Sequence, residues 1–490
     1  MRLTRRALTG GLTLGLATTS LAVGRAWSAE PLAPEPAVIR GEAKAGGRTV
    51  AYRAVAAETV LPGPDGAPEA TLFSTAYFAE GEDAAARPVT FFFNGGPGAA
   101  TIDLREGLAP VHTRNAAGRG FRLADNPDTL IDASDLVFVD PGGIGYSRFL
   151  KPGVAARYWG VDEDARAVAD FIAIWLKANG REASPKYLVG ESYAGIRVGM
   201  VAERMARLPE PVRFDGVVLV SPSTGTRGAK DLAAAADPAV RALPSQAATA
   251  LYYGKSAHAG AEPAVLAEAA RGWAEGDYAR ALAKGETISP ALSAKVAREL
   301  SGYLGLPEAQ VLAADLRIPM DRFIRELLAE REARIGLSDA RAHAPYFVTD
   351  AQRPPYDDPS TSPYTLTYNL TEAVEHLYRQ VFGYRPLGPY VRLSYEANGG
   401  WNHEVEGGPR AMPLVFKELM AADPDLRVSL MLGCYDLNIP YAGPLNEYLA
   451  ADLPSDRFAH RLFEAGHSIF SDPVGRRQAS ADLRAFVQAG

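Results

Sequence analysis

Tyr187-Leu-Val-Gly-Glu-Ser-Tyr-Ala-Gly195 is the stretch on which the reading of this chain turns. Tyr187 to Gly190 have strand character and lead into a Gly-Xaa-Ser turn. An apolar-periodic helix through Val198, Val201 and Met205 follows. A sharp strand-to-helix turn of this composition lifts one Ser hydroxyl above the edge of a sheet. Small residues flank such a turn because the strand and helix backbones pass close to each other. Ser192 is therefore the candidate nucleophile. The five-residue pattern normally ends in Gly; here Ala194 holds that place and Gly195 comes next.

Outward from the turn, short apolar runs recur at Val89–Phe93, Leu136–Asp140 and Val217–Ser221, each ending near Gly, Pro, Asp or Ser. Runs of this kind suit strands covered on both faces. The spacing predicts a helix over Asp162–Ala178, with acids in its first turn, Val168, Phe171, Ile172 and Trp175 on its apolar face, and Gly180 after it. The order β-α-β-α-β implies right-handed crossovers in a parallel sheet. Residues 48–58 and 71–79 read as two earlier strands joined by the turn at Pro62–Gly66. The expected fold is α/β, an α/β-hydrolase fold with a mostly parallel central sheet. Residues 30–225 form its first part and 401–490 its second. Between them, 226–400 is Ala-rich and helical in pattern and reads as an inserted, mainly helical cap. After the cap the pattern resumes with a helix near Pro413–Ala422, strands at Arg427–Gly433 and Arg457–Phe463, and a helix over Gly475–Val487.

A nucleophilic Ser needs a base that takes its proton and a carboxylate that fixes the imidazole. In this fold they follow in the order Ser, acid, His, each after a strand. With only seven His the search is short. His467 lies just after the strand ending at Phe463, and Asp436 just after the strand ending at Gly433. His112, His258, His343, His376, His403 and His460 have no such setting and read as surface or structural residues. An oxyanion needs two aligned backbone N–H groups. Tyr193, the residue after the nucleophile, supplies one. The other is expected from Phe91-Phe-Phe-Asn-Gly-Gly-Pro-Gly98, a Gly-rich loop after a buried strand. No His-Glu-Xaa-Xaa-His or comparable ligand cluster exists, so no metal and no cofactor is expected.

The N-terminus reads as an export signal over residues 1–29, to a periplasmic or secreted destination. Arg5-Arg6 is a twin arginine before the moderately apolar Gly10–Val23, and small residues at Ala26–Ala29 suit a signal peptidase. The stretch is short for a membrane span, so no stable membrane insertion is expected after processing. The formal net charge is -7, and residues 1–29 hold four Arg and no acid, so a processed chain carries -11. That balance argues against nucleic acid or an anionic membrane as partner. Cys434 is the sole cysteine, so no internal disulfide forms. The sequence sets no oligomeric state.

Several blocks together resemble the serine carboxypeptidases, peptidase family S10, in a bacterial exported form. Asn94-Gly-Gly-Pro-Gly98 resembles the family's oxyanion loop. Asp140 to Ser147 is similar to its Asp-Xaa-Pro-Val-Gly-Thr-Gly-Phe/Tyr-Ser segment, and Gly190-Glu-Ser-Tyr-Ala-Gly195 is identical to its most specific motif. Asp436 and Ala465-Gly-His467 fall where its acid and base fall. Leu243–Ala248 with Tyr252–Lys255 resembles a cap segment of bacterial members. The resemblance implies a carboxypeptidase that removes C-terminal residues through an acyl-enzyme on Ser192, with a peptide bearing a free C-terminus as substrate. It implies Gly96 and Tyr193 as oxyanion donors. It implies that Asn94, the Gly95 backbone and Glu191 hold the substrate carboxylate, with Glu191 protonated and acidic pH favoured. The chain departs from the pattern at Phe92, where Trp is usual, and at Cys434, where the first of two Asp is usual. It departs again at Ser468, where an apolar residue is common, and in lacking a second Glu, since Glu106 is out of register with Pro110. These departures keep an esterase or acyltransferase on the same fold as the alternative. A non-catalytic binding protein is the remote one, against which the intact Ser192, Asp436 and His467 speak.

Overall fold

The structure, a computed structural model, describes residues 32–115, 121–232, 237–346, 358–361 and 370–490. The expected leader at 1–29 lies outside the described residues. Ten strands make one sheet: β1 Ala37–Ala45, β2 Arg48–Pro62, β3 Pro68–Ala79, β4 Val89–Phe93, β5 Asp135–Val139, β6 Arg148–Phe149, β7 Lys186–Glu191, β8 Gly216–Val220, β9 Arg427–Gly433 and β10 Phe458–Phe463. Their spatial order is β1-β2-β3-β5-β4-β7-β8-β9-β10, with β6 paired to β3. The first three strands and β6 pair antiparallel; from β5 to β10 every pairing is parallel. This is the α/β-hydrolase architecture.

The inner strands β4, β5, β7 and β8 are buried and mostly apolar because helices cover both faces, whereas the edge strand β10 is largely exposed. In β4, Phe91 and Phe93 enter one core and Phe92 the other. Phe91 meets the edge of Trp175, with centroids 5.3 Å apart, while Phe92 stacks on Phe138 at 4.6 Å. Trp175 belongs to a helix over Val161–Ala178, whose first turn carries Asp162, Glu163 and Asp164, favourable beside the helix's positive end. The helix stops where Gly180 turns left-handed at φ 62° and Arg181 N–H donates back to Leu176 O (2.8 Å).

β1 is a strand that the sequence pattern does not announce: its burial alternates along an edge whose inward residues, Ile39 apart, are only Ala and Gly, a weak hydrophobic signal. A short helix at Ile102–Leu108, directly after the Gly-rich loop, is also absent from the pattern. Between β8 and β9 the described residues form helices including Pro238–Tyr252, Pro263–Trp273 and Pro290–Leu304, together with a small hairpin, Ala333–Ile335 with His343–Pro345. No helix among the described residues is long and apolar enough to cross a membrane.

Candidate active site

The parallel sheet sets the C-terminal ends of β4, β7, β9 and β10 along one edge, and each carries a predicted residue there. At the end of β7, Ser192 is held left-handed at φ 63°, a conformation costly for any residue but Gly. The surroundings enforce it. Ser192 N–H donates to Val220 O (2.9 Å), and Ser192 O accepts from Gly195 N (2.9 Å) and Ser223 N (3.0 Å). A Cβ on Gly195 would lie 2.6 Å from Pro222 Cβ, and one on Gly190 would strike the Ala194 carbonyl. The close approach anticipated from the motif is therefore what these two glycines serve, while Ala194 begins the following helix, Ala194–Ala206.

Asp436 is fully buried after β9. Its Oδ1 accepts the N–H groups of Asn438 (2.9 Å) and Ile439 (2.8 Å). Its Oδ2 lies 2.6 Å from His467 Nδ1. The carboxylate can only accept, so Nδ1 carries the proton and Nε2 is left for a substrate-side partner. Burial works against charge on His467, but the Asp436 carboxylate, its hydrogen bond and the nearby Glu191 and Asp358 outweigh it, pushing the imidazole up to about 9. The loops bearing the pair are clasped from the β8–β9 insertion. His467 N–H donates to Ser338 O (2.6 Å), Leu437 N–H to Leu337 O (2.9 Å), and Ala340 N–H to Tyr435 O (3.0 Å). Asp358 in turn accepts from the amides of Leu337 and Ser338, both at 3.1 Å.

The Gly-rich loop after β4 lies directly against the elbow. A Cβ on Gly95 would come within 2.6 Å of Tyr193 N and 2.7 Å of Ser192 Cβ. Gly96 is exposed with φ 105°. Among the described residues neither the Gly96 nor the Tyr193 amide donates to a carbonyl of the surrounding turns. The loop is anchored from the elbow helix: buried Arg197 donates through Nη1 to Asn94 O (2.6 Å) and through Nε to Asp164 Oδ2 (2.6 Å). Burial raises the Asp164 carboxyl and the Arg197 guanidinium counters it. The Tyr193 side chain accepts a hydrogen bond from Trp401 Nε1 (3.0 Å).

Asn94 and Glu191 meet beside Ser192. Asn94 Oδ1 accepts from Leu104 N (3.1 Å), and Asn94 Nδ2 donates to Glu191 Oε1 (2.8 Å). Ser468 Oγ donates to the same oxygen (2.9 Å). Glu191 Oε2 is buried with no partner. Burial, with a smaller push from Asp103, raises Glu191 to about 7 against the opposing effects of His467, Ser468 and Asn94. The residue after His467 thus bonds to the residue before Ser192, which links the loop after β10 to the end of β7.

Residues 67–228 match the family model of the serine carboxypeptidases. That span holds β3 to β8, the Gly-rich loop and the elbow. Serine carboxypeptidase-like 34 of Arabidopsis thaliana is 30% identical over 131 residues, 26% of this chain and 26% of that protein. Serine carboxypeptidase-like 29 of the same plant is 29% identical over 133 residues, again 26% of each. The chain spans about a quarter of the length of the curated relatives it matches. Among solved structures, Kex1(delta)p, a prohormone-processing carboxypeptidase from Saccharomyces cerevisiae, superposes with a TM-score of 0.51. The match covers 90% of this chain and 91% of that one at 13% identity, which is a likeness of fold.

The structure therefore brings Asn94, Gly95, Glu191, Ser192 and Tyr193 to one corner and bonds Asp436 to His467 beside it. Sequence reasoning missed Arg197, Ser338 and Trp401. Only Arg197 carried a local signal, a cation inside the apolar-periodic helix that follows the nucleophile. Of the six other His, His258 stacks on Tyr303 and His343 meets the edge of Tyr253. Among the described residues no group of His, Cys, Asp or Glu converges as a metal site.

Proposed function

We propose that this chain is a serine carboxypeptidase that releases C-terminal residues from peptides. The observation that carries the reading is Glu191 beside Ser192: a buried carboxyl, shifted upward, with one oxygen doubly bonded to donors and the other unpartnered. A protonated Glu191 donates from Oε2 to a substrate carboxylate, and the second Nδ2 hydrogen of Asn94 joins it. This fixes the scissile carbonyl one residue away, over Ser192.

Ser192 Oγ then attacks that carbonyl carbon while His467 Nε2 takes the hydroxyl proton. The oxyanion is held by the amides of Gly96 and Tyr193. The C–N bond breaks as His467 gives its proton to the departing amine, leaving an acyl-enzyme. Water, deprotonated by His467, attacks the ester carbon, and the Ser192 oxygen leaves with the proton returned to it. Asp436 holds the imidazole through both halves.

Two proton demands coexist: Glu191 must be protonated and His467 neutral. With Glu191 near 7 and His467 near 9, both groups hold protons below the range and neither does above it. The competent state carries one proton on the pair, so the peptide profile is a bell between these limits. This moves the working range upward from the acidic preference that the resemblance implies.

A peptide library digested alongside its C-terminally amidated copy tests the reading by mass spectrometry. Stepwise loss of single residues from the free-acid peptides, with amides spared, supports it. Equal cleavage of both, or cleavage of esters alone, supports the esterase or acyltransferase alternative, which the departures at Phe92 and Cys434 keep open. The same reading makes the chain an exported bacterial enzyme on the strength of Arg5-Arg6. Replacing both with Lys then traps the precursor in the cytoplasm, and unchanged export on immunoblotted fractions contradicts it.

A further inference from the structure

Ser468 is a departure from the resembled pattern at a position that faces the carboxylate corner. The family's second acid has no equivalent here, and the apolar residue common after the base is replaced by a hydroxyl. Ser468 and Asn94 meet at one atom. Glu191 Oε1 accepts from Asn94 Nδ2 at 2.8 Å and from Ser468 Oγ at 2.9 Å, which occupies both lone pairs of that oxygen. A proton on Glu191 is thereby confined to Oε2, the oxygen without a partner. Ser468 is half-buried at the cleft, and its neighbour His467 is clasped through its backbone to Ser338 O. The hydroxyl is therefore held by the same loop that holds the base.

We propose that Ser468 is a positioning residue for carboxylate recognition, fixing the Glu191 carboxyl so that its single O–H points at the substrate's terminal carboxylate. The groups facing Glu191 are Asn94, Ser468, His467 and, at longer range, Asp103. None of them but Asn94 and Ser468 bonds to its side chain among the described residues. Without Ser468, the carboxyl keeps one donor and can turn. Its O–H is then spread over orientations that miss the substrate, at an entropic cost paid on binding. The inference rests on the carboxypeptidase reading of the same corner, in which Glu191 meets a substrate carboxylate.

The test compares an N-blocked dipeptide with its methyl ester on wild type, Ser468→Ala, Ser468→Thr and Glu191→Gln. The quantity read is the acid-to-ester ratio of kcat/KM. Ser468→Ala is expected to lower that ratio about tenfold, the scale of one hydrogen bond to an ionisable group, with the change in KM for the acid. Ser468→Thr, which keeps the hydroxyl, is expected to restore it. Ser468→Cys has nearly the same shape and a weaker donor, so it reads the same direction if the Ala variant does not fold. A ratio that responds to Glu191→Gln but stays within twofold of wild type in both Ser468→Ala and Ser468→Cys overturns the role of Ser468 alone. A ratio that responds to none of the variants overturns the carboxylate reading and this inference with it.

Discussion

The nucleophile elbow and the carboxylate corner adjoin at Glu191 and Ser192, yet they are built by different means. The elbow is a backbone object. Ser192 is left-handed because its N–H is tied to β8, its carbonyl takes two further amides, and two glycines leave no room for another path. The corner is a side-chain object, in which two donors converge on one oxygen of a buried acid. A backbone object tolerates few residue types, because any added Cβ collides. A side-chain object can be rebuilt from different donors. The chain reflects this: its motif from Gly190 to Gly195 is identical to that of the family it resembles, whereas Ser468, one of the two donors in the corner, departs from the resembled pattern.

Substitutions that strike the elbow should therefore hurt every substrate, and those in the corner should separate substrates. The largest effect is expected from Ser192→Ala. Turnover of both peptide and ester should fall by about 10³-fold or more, since no other group supplies the covalent step. A fluorophosphonate should label Ser192 in the wild type and nothing in the mutant, as read by intact-mass measurement. Residual turnover within tenfold on either substrate breaks the shared-nucleophile half of the comparison.

Arg197→Met comes next. It leaves buried Asp164 without its partner and frees the Asn94 carbonyl. Losing one member of a buried ion pair costs about 3–5 kcal/mol, so a denaturant melt should shift by that order, and peptide and ester turnover should fall together. An unchanged melt would mean the oxyanion loop is anchored by other contacts. Glu191→Gln sharpens the contrast with a smaller effect. A Gln amide donates at any pH but more weakly than a protonated carboxyl. Peptide kcat/KM should drop by roughly one decade near its optimum. Its fall at high pH should disappear, leaving one limb that rises and levels off below 9, because the anion that raises His467 is gone.

The strands of the parallel sheet were legible because burial on both faces leaves runs such as Val89–Phe93 and Val217–Val220 uninterrupted. The long helix before the elbow was legible from its apolar period and acidic start. β1 was not, because its inward stripe of Ala37, Ile39, Gly41, Ala43 and Ala45 is made mostly of small residues that carry little hydrophobic signal. The placement of Ser192, Asp436 and His467 just past strand ends was legible from their order and the apolar runs before them. The clasp of His467 by Ser338 was not, since it is a backbone contact between residues more than a hundred positions apart. Ser468 was visible as a departure, but its meaning needed the distance to Glu191. The upward shift of His467 likewise depends on the burial and spacing of Asp436, Glu191 and Asp358, which no local pattern carries.

The central claim is that one corner of the site reads a free carboxylate through a protonated acid while the elbow serves any acyl group. The most direct measurement is kcat/KM against pH for the wild-type protein on a blocked dipeptide and its methyl ester. The ester needs only neutral His467, so its rate should rise with pH and level off near 9. The dipeptide also needs the Glu191 proton, whose holding group lies near 7. Its profile should rise with the ester's and then fall on the alkaline side, giving a bell. Two profiles of the same shape would contradict the claim and leave Glu191 as a buttress of the elbow.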